Sequence, residues 1–313
     1  MTIEGSIRPE GLRTEVVEWR KGNQTKPNPF TILILSNPSL ERPLHSGKFV
    51  IDPVMQDQKA FTAIADYTNK NLFGEIPGQA EKLLADSPHA SKVRILSAFV
   101  EGFLPANSTA LVAEDRIDES NMIVPRRDAA PSLLTYLEFD PDIVFFVSKS
   151  PTHDRASAWG TTDDDSRGGV SFKYDSRTLT HRFFHSILGM AALHTTATAL
   201  TPVHEFGHAF SSYTNGFVND LYVDGGPAFN RKLGHPIPQA FVNYDNTIYA
   251  SDRSRDGLGY PATWRSYHSE LADSRNPALM DNYWKASGGY LASRHDKLTK
   301  AYIRDRLAAK VSR

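Results

Sequence analysis

The sequence predicts a mixed α/β (α+β) fold around a largely parallel sheet, and three observations carry that expectation. Short continuous apolar runs recur at Pro29–Ser36 (PFTILILS), Lys92–Val100 (KVRILSAFV) and Asp142–Ser148 (DIVFFVS), the pattern of strands buried on both faces. Stretches of helical spacing separate them, as parallel strands need a crossover between each pair. Of the 313 residues, 40% are hydrophobic and 23% charged, an ordinary balance for a packed domain.

Residues 1–28 are polar, with Pro9 and Pro27 around a strand candidate at Thr14–Trp19, and read as an N-terminal extension. Residues 29–313 read as one domain, since no clean linker interrupts them. After the first apolar run ends at Asn37-Pro38, Met55–Phe73 places Phe61, Ile64, Ala65, Thr68 and Leu72 at helical spacing, with Gly74 and Pro77 as stops. The third run is followed by a loop and a short strand at Val170–Tyr174. Ala197–Tyr213 is a helix by pattern, closed by Asn215-Gly216. Arg294–Val311 sets Leu298, Tyr302, Ile303 and Leu307 on one face of a last amphipathic helix.

Charge and composition exclude several classes. Lys plus Arg total 35 against 36 Asp plus Glu, a net charge of -1, without the cationic excess of a nucleic-acid binder or a polybasic membrane binder. There is no cysteine, which removes disulfides, thiolate metal sites and a cysteine nucleophile together. No apolar run reaches the roughly 18 to 20 residues of a membrane span. The N-terminal stretch lacks the apolar core of a secretory signal. The compartment therefore stays open between the cytoplasm, as the chain is written, and secretion, if a signal has been trimmed.

Chemistry concentrates at Val203–Ala209, VHEFGHA. His204 and His208 stand four apart, so on a helix both imidazoles project from one face and can share a zinc ion. Glu205 follows the first of them and is placed to take a proton from a water activated by the metal. A chain with 11 histidines contains HExxH by chance in only about 2% of cases. Small Gly207 and Ala209 permit close approach, while Phe206 and Phe210 supply packing. A catalytic zinc needs a third protein ligand. Ser211 and Thr214 stand where a metzincin has its glycine and third histidine. Ala228 occupies the place of a glutamate about 20 positions downstream. Asp220 and Asp224 follow the helix instead.

With its following Asp220-Leu221-Tyr222, the stretch VHEFGHAF resembles the HEFGHSF…DEY block of the IgA-peptidase-type zinc metallopeptidases, a branch of the zincins. PFTILILS and DIVFFVS resemble core strands of that family, and PALMDNYW (Pro277–Trp284) its methionine-containing segment. The resemblance implies a zincin-like domain with an active-site helix that hydrolyses peptide bonds in a peptide or protein substrate. It also implies a zinc held by His204, His208 and Asp220, with Glu205 as general base. Asp220 takes that place through a five-residue insertion, since an ungapped alignment puts Asn215-Gly216 there; Asp224 and His235 are the other candidates. Met280 becomes either an apolar floor beneath the metal or an ordinary core methionine. Tyr222, Tyr244, Tyr249 and His268 are candidates to stabilise an oxyanion.

Other clusters carry less. Asp163, Asp164 and Asp165 lack calcium-loop spacing and read as a solvated loop. His181 and His185, four apart, have no acidic neighbour to support a second site, and His194 stands alone. Gly168-Gly169 before Val170 offers the start of an edge strand along which a peptide could lie. Two other classes remain beside the peptidase: a zincin-fold binding protein without turnover, and a structural zinc closed by four protein ligands.

Overall fold

The three apolar runs lie side by side: in a computed structural model of the chain they are parallel neighbours in one sheet, with Phe30–Ser36 in the middle. The structure describes residues 3–4, 13–23, 29–116, 121–127, 129–137, 139–160, 171–174, 177–180, 187–210, 218, 278–280, 283–295 and 297–312. In chain order, strands β1 (Ile3–Glu4), β2 (Arg13–Lys21), β3 (Phe30–Ser36), β4 (Ser39–Glu41) and β5 (Phe49–Ile51) precede helix α1 (Gln58–Leu72). Then come β6 (Val93–Glu101), β7 (Ala110–Glu114), β8 (Ile123–Pro125), helix α2 (Ala130–Tyr136), β9 (Ile143–Ser148) and β10 (Ser157–Gly160). β11 (Ser171–Tyr174), β12 (Arg177–Thr180), β13 (Gly189–His194), helix α3 (Thr201–Ala209) and helix α4 (Lys297–Val311) follow. Two compact units result, one of residues 1–69, 92–159 and 164–197, the other of 70–91, 160–163 and 198–313.

The first unit centres on a six-stranded sheet of order β10-β13-β9-β3-β6-β2. β13, β9, β3 and β6 run parallel, and β9 and β13 are buried along their whole length. That double-sided burial is why the sequence shows unbroken apolar runs instead of alternation. β2 closes one edge antiparallel to β6, with a register shift between Glu18 and Arg20. The stretch expected as an extension thus supplies an edge strand, and its charged residues and bulge suit an edge that must not recruit another chain. Packing of α1 follows its periodicity: Phe61, Ile64 and Ala65 are buried, and the Phe61 ring lies 5.4 Å from that of Phe99 on β6. Buried Asp52 ties the carboxyl ends of the central strands together. It accepts hydrogen bonds from Asn37 Nδ2 (2.7 Å) after β3, and from Ser148 Oγ and the Lys149 amide at the end of β9.

Two features go beyond what the sequence predicts, and one helix starts later than its pattern. Met190, Ala191, Ala192 and Leu193 favour helix, yet Gly189–His194 is a strand paired residue for residue with Ile143–Ser148; tertiary pairing outweighs a weak local propensity. Two smaller sheets, β5-β4-β7-β8 and β1-β11-β12, went largely unforeseen, because strands of two to five residues leave too short a pattern to read. The helix expected from Ala197 begins only at Thr201. Ala199 has φ 53°, a left-handed turn, and Pro202 stands in the first helical turn, the one helical location that tolerates it. Among the described residues no helix is long and apolar enough to cross a membrane.

Candidate metal centre

The centre is built on α3, in the second unit. This nine-residue helix is nearly all buried, His204 and Glu205 included. Phe206 and Phe210 meet edge to face at 4.9 Å, anchoring the side opposite the histidines. Gly207 lets its neighbours pack closely: a β-carbon there would stand 3.0 Å from His295 Cε1 and 3.2 Å from Met280 Sδ.

His204 and His208 face each other as the spacing predicts, with Nε2 atoms 3.2 Å apart. Each ring is fixed through its other nitrogen. His204 Nδ1 is 2.9 Å from the Leu279 carbonyl, and His208 Nδ1 is 2.6 Å from the Val218 carbonyl. A carbonyl oxygen only accepts, so both Nδ1 atoms carry the proton. In the neutral rings both Nε2 atoms are then lone pairs pointing at a common region, an arrangement that repels unless a cation or proton lies between them. Two nitrogens at ~2.05 Å from a tetrahedral zinc stand about 3.3 Å apart, so the pair fits zinc, and the two carbonyls play the orienting part usual for metal-bound imidazoles.

Tyr283, Met280 and His295 are buried near the pair. Tyr283 lies with its ring 5.5 Å from that of His204 and its hydroxyl 3.3 Å from Thr201 Oγ1. Met280, expected as a floor or as plain core, is buried beside Gly207. His295 is buried as well, and burial pushes it well below its ordinary 6.5, with positive Lys300 and then His204 acting the same way. Its amide donates to Glu81, a carboxylate that burial pushes up and that Lys300, with Nζ 3.2 Å away, partly holds down.

Asp220, Asp224, His235, Tyr222, Tyr244, Tyr249 and His268 lie outside the described residues, as do Asp163, Asp164, Asp165, Gly168, Gly169, His181 and His185. His194 sits at the end of β13, bonded to Thr196 Oγ1 and the Ser150 carbonyl. Among the described residues no three His, Asp or Glu side chains gather at one metal-sized point. Sequence reasoning missed Asn71, Tyr283 and His295, along with the two carbonyls. Backbone groups leave no trace in a residue pattern, and these three side chains reach α3 from segments distant in sequence. Set against models of protein families, curated proteins and solved structures, the chain matches none.

Proposed function

We propose that this protein is a zinc-dependent metallopeptidase. The observation that supports it is the facing pair of imidazoles, each with Nδ1 engaged by a carbonyl and Nε2 turned toward the other at 3.2 Å. His204 and His208 would hold zinc, with Asp220 as third ligand. Zinc, when bound, lowers the pKa of a water toward ~7 and polarises a carbonyl. Glu205, buried next to His204 in sequence, takes the proton from the attacking water and passes it to the leaving amine. A peptide bond is the reacting group that the VHEFGHAF resemblance favours.

The test is metal content by plasma mass spectrometry on untagged protein, followed by peptide-library hydrolysis. The expected result is about one zinc per chain, lost in His208→Ala, with Glu205→Ala retaining zinc and losing turnover by two or more orders of magnitude. Zinc retained without hydrolysis of any library member would instead favour a structural site. No zinc in the wild type after reconstitution would end the metalloenzyme reading.

A further inference from the structure

We infer that Asn71, at the end of α1, is a positioning residue for the metal-binding pair, and the inference rests on the zinc reading above. The first turn of α3 leaves one amide to be satisfied from outside. The Thr201 amide bonds the Thr198 carbonyl at 3.1 Å, and that of His204 bonds the Leu200 carbonyl at 2.9 Å. Pro202 has no amide hydrogen, and Leu200, at the cap, has no side-chain oxygen to offer. The Val203 amide, immediately before His204, is fully buried. It donates to Asn71 Oδ1 at 3.0 Å, across 132 positions of sequence.

The same carboxamide also holds the turn before the helix. Asn71 Nδ2 donates to the carbonyl of Ala199 at 3.0 Å, the residue at φ 53°. A non-glycine residue in that region persists only where its surroundings hold it there. Asn71 is itself fixed by Gln79. The Gln79 Oε1 accepts from Asn71 Nδ2 at 3.1 Å, while its Nε2 donates to the Asn71 and Glu81 carbonyls at 2.7 and 2.9 Å. Asn71 is 0% exposed and Gln79 5%, so water does not compete for these bonds. One neutral amide therefore sets both the entry angle and the first bonded turn of a helix whose next residue is His204. The distance between the two Nε2 atoms depends on that turn, because His204 lies in it while His208 lies one turn further on.

The test loads the full-length chain with zinc and, separately, with cobalt(II), whose visible absorption reports ligand geometry. Asn71→Ala is expected to weaken zinc binding, measured by chelator competition, by roughly 10- to 100-fold, the usual scale for groups that orient metal ligands. It is also expected to alter the cobalt spectrum. Asn71→Asp keeps an acceptor for Val203 but loses both donors, and should show a smaller loss and an altered spectrum; it serves if the alanine variant does not fold. Leu84→Ala, a fully buried change in the same unit, should lower Tm with zinc affinity and cobalt spectrum unchanged. Folded Asn71 variants with wild-type affinity and spectrum would overturn the inference, as would a Leu84→Ala spectrum shifted as far as theirs. A wild type that binds no zinc would overturn the zinc reading, and this inference with it.

Discussion

Gly207 carries two opposing effects that a substitution would separate. Glycine inside a helix costs about 0.5–1 kcal/mol relative to alanine. Against that, an added β-carbon would press on His295 at 3.0 Å and Met280 at 3.2 Å, both buried. Overpacking of this kind costs about 1–3 kcal/mol. Gly207→Ala is therefore expected to lose about 1 kcal/mol net in urea unfolding, and to weaken zinc binding because α3 is levered off its floor. A stabilised variant would show that His295 and Met280 yield freely.

A nine-residue helix is too short to persist alone in water, so α3 depends on what holds its ends. Asn71 serves the first turn. At the other end the Tyr302 hydroxyl, from α4, donates to the Phe210 carbonyl at 2.9 Å, one of the acceptors a helix leaves open at its C-terminus. Tyr302 is 1% exposed, so Tyr302→Phe removes a buried hydrogen bond and should cost about 0.5–1.5 kcal/mol by chemical unfolding. Because that bond lies beyond His208, the variant should change zinc affinity less than Asn71→Ala does.

At the scale of the whole molecule, stability should depend on zinc and on pH through different units. Zinc at a thousand times its Kd would add about 4 kcal/mol to the folded state. Thermal unfolding should move up on adding zinc and return on chelation, with no movement in His208→Ala. Glu114 is one acid-sensitive group of the first unit. Burial alone would raise its carboxyl, but hydrogen bonds from Ser150, Arg42 and Thr152 together outweigh that and hold it below 4.5. The folded state then binds this proton less tightly than the unfolded chain. The contribution is present above pH ~4.5 and is lost as pH falls through the folded value. Glu114→Gln should flatten that acid slope when unfolding is followed from pH 7 to 3, and a slope equal to wild type would place the acid-sensitive group elsewhere.

The sequence by itself determined the three central strands, the buried face of α1, the last helix and the facing of His204 and His208. Each rests on a short-range regularity: an apolar run, a spacing of three or four, a proline or glycine stop. It did not reveal β13, whose residues favour helix until β9 pairs with them, or the late start of α3, although Pro202 was a legible marker. Only the tertiary structure decided how the His204–His208 pair is held. The Leu279 and Val218 carbonyls fix the tautomers, Asn71 fixes the first turn, and His295 and Met280 crowd position 207. Hydrogen bonds across 75 and 132 positions join groups whose sequence separation carries no periodic signal, so folding alone brings them to one helix.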